Sequence, residues 1–271
     1  MAVQVVLVGC GNMGYAMLAG WLKSGKLIAG EVFVVEPNEA LRERAEKLGA
    51  AVSSDAAGLA ADLAPNLVIF AVKPQVMRDV VPAYQRFAGK GATFLSIAAG
   101  TPIATFEELL GASAAVVRCM PNTPAAIGKG MMVVVSNPYV SDEAKAFVAD
   151  LLSASGEVAT IDDEKLMDAV TAVSGSGPAY VFHFIEALTA AAEHAGLKPE
   201  TARLLAMQTV YGAASLAAES REEPGVLRQQ VTSPNGTTAA ALGVLMGEGR
   251  LTKLVTEAVE AARLRSMELG R

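Results

Sequence analysis

Two short stretches of this chain have residue types and spacing suited to chemistry. The first is Gly9-Cys10-Gly11-Asn12-Met13-Gly14, a G-x-G-x-x-G pattern. Where such a loop joins a strand to a helix it binds a dinucleotide: Gly9 makes the tight turn, Gly11 admits the pyrophosphate, and Gly14 lets the helix pack on the strand. The second is Val231-Thr232-Ser233-Pro234-Asn235-Gly236-Thr237-Thr238. Ser233 is placed to cap a helix, Pro234 suits its first turn, and Gly236 lets a ligand approach the backbone. A helix N-terminus carries about half a positive charge and unpaired N–H donors, so this turn suits a carboxylate or phosphate without Lys or Arg. Taken alone it reads first as an ordinary N-cap.

The elements around the glycine loop support cofactor binding. Residues 3–8 are an apolar, β-branched run expected of a strand buried on both faces, residues 15–24 read as a helix, and residues 32–35 as the second strand. Glu36 ends that strand, where an acid accepts the ribose hydroxyls of NADH and repels a 2′-phosphate. Pro37 and Asn38 follow, and Asn38 with Arg42 offers donors that suit a phosphate instead, so NADPH stays open. Further strands at 67–72, 93–97, 115–118 and 131–135 alternate with helices at 38–48, 55–63, 75–87, 102–110 and 141–152. This alternation predicts an α/β fold with a Rossmann-type, doubly wound parallel sheet whose ligands sit at the carboxyl ends of the strands. Those ends carry Ala71-Val72-Lys73-Pro74, Ala98-Ala99-Gly100 and Met120-Pro121-Asn122-Thr123-Pro124, small or proline-fixed segments that present backbone to a flat ring. They read as the wall of the cofactor site, with Lys73 near phosphate or ribose.

From about Asp162 the pattern is helical, with helices at 164–174, 177–195, 199–219, 225–230, 238–247 and 251–269. The predicted division is a dinucleotide-binding domain at 1–160 and an all-α dimerisation and substrate domain at 161–271. Between them, Ser174-Gly175-Ser176-Gly177-Pro178 is expected to open a long helix and to let backbone, with Ser176, approach a substrate or the nicotinamide edge. His183 and His194 lie singly on an Ala-rich helix and read as structural or surface residues.

Composition narrows the partners. The chain of 271 residues is 52% hydrophobic and 18% charged, too little polar residue to cover a soluble monomer, which predicts a large apolar interface and a helical dimer. A net charge of −6 argues against nucleic acid or an anionic membrane. The two cysteines and two histidines lack metal-ligand spacing, so no metal is expected. With no basic leader and no long apolar span, the expected location is the cytoplasm.

In order and spacing, residues 9–14, the Ala71 to Pro74 and Met120 to Pro124 segments, residues 174–180 and residues 231–238 resemble the successive motifs of pyrroline-5-carboxylate reductases. The resemblance implies NAD(P)H-dependent reduction of a cyclic imine, 1-pyrroline-5-carboxylate, to L-proline, by a Rossmann domain followed by a helical dimerisation domain, in dimers that often form decamers. It also implies that Gly11, Asn12, Met13 and Gly14 hold the pyrophosphate. Ser233, Gly236 and Thr237, in a turn with Asn235, would bind the substrate carboxylate, and the Thr238 hydroxyl would meet the ring nitrogen. Glu36 departs from the Ser or Thr common in members that favour NADPH. Two rivals are a hydroxy-acid dehydrogenase, for which neither Lys165 nor Lys198 has the right placement, and a non-catalytic dinucleotide-binding regulator.

Overall fold

The computed structural model describes residues 3–270. Strand β1 (Val5–Val8) leads into α1 (Asn12–Ser24), β2 (Val32–Val35), α2 (Glu39–Glu46) and β3 (Ala51–Ser53). β4 (Leu67–Phe70) follows, then a short α3 (Met77–Val80) that runs on as a 3₁₀ helix over Val81–Lys90, where Pro82 lacks the N–H an α-helix needs. Next come β5 (Thr93–Ser96), α4 (Ile103–Leu110), β6 (Ala115–Met120), β7 (Gly130–Ser136), α5 (Asp142–Ser153) and β8 (Gly156–Thr160). The remainder is helical: α6 (Met167–Val170), a π turn at Thr171–Gly175, α7 (Gly177–His194), α8 (Pro199–Glu219), α9 (Pro224–Gln230), α10 (Thr237–Met246) and α11 (Arg250–Leu269).

All eight strands share one sheet in the order β3-β2-β1-β4-β5-β6-β7-β8. The expected Rossmann-type sheet is present, with one correction to its direction: β7 runs antiparallel to β6. Residues 121–129 joining them are fewer than the dozen or so that a parallel crossover requires. The edge strands β3 and β8 were not anticipated, and the helix expected at 55–63 shrinks to one 3₁₀ turn, Ala56–Gly58, begun by the Asp55 side chain accepting the Ala57 N–H. Alternation along β1 explains why its sequence is apolar throughout. Val5 and Leu7 join Met17, Leu18, Trp21 and Leu151 on one face, and Val6 and Val8 join Phe70, Tyr84, Phe94 and Phe106 on the other. The Trp21 indole N–H is satisfied by the Leu151 carbonyl at 3.0 Å.

The chain divides into two compact units. One takes the chain up to Ser176 together with the segment from Ala262; the other is Gly177–Ala261. The end of α11 therefore belongs with the sheet, where the Ser266 hydroxyl donates to the Asp168 carboxylate at 2.6 Å. Within the helical unit α7 packs on α8, yet Ala202 and Ala206 are its only buried residues, while Phe182, Phe184, Leu204, Tyr211 and Leu254 stand exposed.

Candidate active site

The order of the sheet reverses between β1 and β4, which opens a crevice at their carboxyl ends. Backbone bonds bring the adjoining loops together there: Gly9 N–H donates to Val35 O at 2.8 Å and Ala71 N–H to Val8 O at 2.7 Å. Gly9 has φ +92°, and a Cβ on it would lie 2.8 Å from the Ala71 carbonyl oxygen, so only glycine suits this approach. Gly11 has nothing within 4 Å of where its Cβ would be. It caps α1 without any side-chain bond, and the N–H groups of Asn12, Met13 and Gly14 precede the first helical bond, Tyr15 N–H to Gly11 O at 2.9 Å. An open, uncapped helix N-terminus behind a glycine turn fits a pyrophosphate.

Glu36 is buried, and its carboxylate is engaged: Oε2 accepts the Cys10 N–H at 2.7 Å and Oε1 the Asn38 N–H at 2.9 Å. Pro37 and Asn38 are exposed beside it. The Asn38 Oδ1 caps α2 by accepting from Leu41 N–H at 3.1 Å, and Arg42 donates to the carbonyls of Glu36 and Pro37 at 2.9 and 2.6 Å.

The three wall segments fare differently. Ala71 and Val72 lie half-buried against Gly9, with Lys73 and Pro74 exposed beyond them. Ala98 is buried and Ala99 exposed, while Gly100, at φ +72°, faces the Leu269 carbonyl 3.3 Å from where a Cβ would lie. Met120 is half-buried, Pro121 buried and Thr123 exposed. The Asn122 amide is committed on both sides, accepting from Met131 N–H at 2.9 Å and donating to Ser174 O at 3.2 Å. That second bond reaches the π turn. The Ser174 to Pro178 segment opens α7 at Gly177 as expected, but it is reached from α6 through the π turn, where the Ser176 N–H bonds back to Thr171 O at 2.8 Å in a wide turn of the kind frequent at functional sites.

In the helical unit, the turn at 233–236 also differs from its expected form. Ser233 is not the cap of α10, which starts only at Thr237 with Gly236 before it. Instead Gly236 N–H closes a turn on Ser233 O at 3.1 Å, with Asn235 left-handed at φ +58°. Pro followed by a left-handed residue is the sequence of a type II turn, and Asn tolerates that conformation. A Cβ on Gly236 would fall 2.4 Å from Ser233 Oγ. No side chain caps α10, so the N–H groups of its first turn await an outside acceptor. Thr237 is exposed and Thr238 half-buried on that turn. His183 pairs with Glu186 at 3.1 Å on an exposed face, and His194 is exposed. Among the described residues, no His, Cys, Asp or Glu group is arranged to hold a metal ion.

Comparison with known proteins decides the family. Residues 164–269 match the model for pyrroline-5-carboxylate reductase dimerisation, and residues 4–100 that for NADP oxidoreductase, coenzyme F420-dependent. A pyrroline-5-carboxylate reductase of Pseudomonas aeruginosa is 42% identical over 268 residues, covering 98% of this chain and 97% of its own. The chain belongs to the pyrroline-5-carboxylate reductase family. A solved pyrroline-5-carboxylate reductase from Coxiella burnetii superposes with a TM-score of 0.93 at 33% identity over 100% of both chains. That of Plasmodium falciparum, solved with NADP bound, has a TM-score of 0.84 at 30% identity over 99% of this chain and 98% of its own. The family membership makes the chain an NAD(P)-dependent oxidoreductase, with a C-terminal dimerisation domain that supports homo-oligomerisation. No helix among the described residues is long and apolar enough to cross a membrane.

Sequence reading missed two side chains at the glycine loop. Arg44, in the last turn of α2, donates to the carbonyls of Cys10 and Gly11. Tyr15 stacks on its guanidinium. Neither lies inside a motif, and the only available signal was a helix following β2 closely enough to fold back on the loop.

Proposed function

We propose that the two backbone cradles divide one reaction, the first holding the cofactor and the second the substrate carboxylate. The chain reduces 1-pyrroline-5-carboxylate to L-proline, the last step of proline biosynthesis. Bound NAD(P)H supplies a hydride to the C=N carbon. Residues Gly9, Gly11, Asn12, Met13 and Gly14 bind the pyrophosphate, and Glu36, Pro37 and Asn38 border the adenosine ribose. Ala71, Val72, Lys73, Pro74, Ala98, Ala99, Gly100, Met120, Pro121, Asn122 and Thr123 line the remaining cofactor wall. Ser233, Asn235, Gly236 and Thr237 orient the substrate carboxylate, Ser176 is a further substrate-binding residue, and the Thr238 hydroxyl polarises the imine nitrogen.

The observation that carries this reading is the uncapped first turn of α10 behind a glycine that leaves its N–H groups accessible. Such chemistry needs alignment more than a strong acid or base, which accounts for a site without a His, Asp or Lys constellation. Residues 1–160 form the cofactor domain and residues 161–271 the dimerisation and substrate domain. The protein works in the cytoplasm as a homodimer, the unit from which a decamer of five dimers can be built.

The test is consumption of NADH or NADPH on mixing with the imine, in wild type and Thr238→Ala. We expect Thr238→Ala to lower kcat by about one to two powers of ten, the scale of a lost polarising contact; unchanged kcat removes Thr238 from the chemistry. Glu36 tilts the preference toward NADH. Glu36→Ser is expected to move the kcat/KM ratio toward NADPH, and an unmoved ratio refutes that role.

A further inference from the structure

Both backbone groups of Cys10 are held by side chains of opposite charge, from the residue after β2 and from α2. Glu36 accepts its N–H at 2.7 Å, and the Arg44 Nη2 donates to its carbonyl at 2.8 Å and to that of Gly11 at 3.2 Å. The guanidinium is covered by Tyr15, whose ring centroid lies 4.0 Å from Arg44 Cζ, and its Nε is buried without a partner. Arg44 is thus half-buried against the glycine loop, with Nη2 bonded to that loop's own carbonyls.

The planarity of the peptide gives this arrangement a direction. In a trans peptide the C=O of one residue points opposite to the N–H of the next. Drawing the Cys10 and Gly11 carbonyls toward Arg44 therefore turns the Gly11 and Asn12 N–H groups away from it, onto the side where a phosphate approaches α1. The guanidinium also neutralises two carbonyl dipoles that would repel a polyanion, and Glu36 fixes the next peptide back.

We propose that Arg44 is a positioning residue that, with Glu36 as counter-grip and Tyr15 as cover, aims the loop N–H groups at the cofactor pyrophosphate. This rests on the reading that the loop binds NAD(P)H. Because the pyrophosphate is common to both nucleotides, the clamp is blind to the 2′ position. That separates Arg44 from an arginine that reads a 2′-phosphate.

Isothermal titration with NADH and NADPH tests it on wild type, Arg44→Met, Arg44→Lys and Tyr15→Ala. Arg44→Met should weaken both nucleotides by the same factor, about ten-fold for a lost charge-assisted pair, with the KM for the imine unchanged. Arg44→Lys keeps the charge but lacks the flat guanidinium that lies over the Tyr15 ring, so it should recover only part of the loss. Tyr15→Ala leaves the guanidinium in place and should weaken both nucleotides equally by a few-fold, which preserves the test if Arg44→Met does not fold. A loss confined to NADPH, unaltered binding of both, or full recovery in Arg44→Lys overturns the clamp. Failure of wild type to bind either nucleotide would instead overturn the cofactor reading beneath it.

Discussion

Cys10 sits between the first two glycines of the Gly9 to Gly14 loop, yet it is placed to be inert. Burial, the largest influence, pushes its thiol up to about 11 against the opposing effect of Arg44, and full burial pushes Cys119 up further. The thiolate is the reactive form, so the native protein should give no reaction with a thiol reagent at pH 8, while the unfolded chain gives both thiols. Rapid native labelling would show that the loop opens. The same shifts set an alkaline limit. Folding keeps Cys10, Cys119 and, through burial, Tyr84 protonated above their ordinary values, so the unfolded chain loses protons first as pH rises. Stability should hold below about pH 9 and fall from there toward 11, readable as a declining Tm; a flat Tm across that window would contradict it. At this scale the residue types were legible and their partners were not. Glu36 was readable as a strand-end acid from its position, but its bond to Cys10 N–H spans 26 residues and has no local signature. Asn122 likewise reads as a loop residue until its amide is seen joining β7 to the π turn.

At the scale of elements, the central strands were legible because burial on both faces leaves an unbroken apolar run. The edge strands were hidden for the converse reason: β3 is three residues long and half exposed, and β8 carries Glu157 and a burial pattern without a buried residue. β8 nevertheless begins with strict backbone demands. Gly156 has φ +150°, and a Cβ there would lie 1.9 Å from the Gly130 carbonyl oxygen of β7. Gly156→Ala should cost about 3 kcal/mol or more in chemical denaturation, since neither backbone can yield without breaking the ladder between β7 and β8. A cost near zero would mean that this edge is free to rearrange. Gly236→Ala meets a softer obstacle, the Ser233 hydroxyl, which can rotate. Its expected signature is a higher KM for the imine with little change in stability, because the added methyl covers the N–H groups of α10 while the helix itself is kept.

For the whole molecule the deciding quantity is the apolar surface of the helical unit. The sheet unit covers both faces of its sheet with its own helices and closes two cores. The Gly177–Ala261 unit has only two buried residues, both alanine, and exposes Leu204, Met207, Tyr211 and Leu216 along one helix. A fully buried large apolar side chain contributes about 1.5–3 kcal/mol, and almost none of that is realised within one copy. Helices of this kind are stabilised by packing more than by propensity, so the dimerisation domain should fold only where a second copy supplies its core. Two measurements follow from the same argument. Light scattering at micromolar concentration should give at least two chains of 27.9 kDa. The denaturation midpoint of the helical signal should rise with protein concentration, as mass action requires when unfolding and dissociation are linked. Leu204→Glu, which places a charge on the most exposed of these leucines at 67%, should lower both the mass and that midpoint while leaving the sheet unit folded. A monomeric mass with a concentration-independent midpoint in the wild type would sink the argument, because the exposed face would then be tolerated in water rather than matched to a partner.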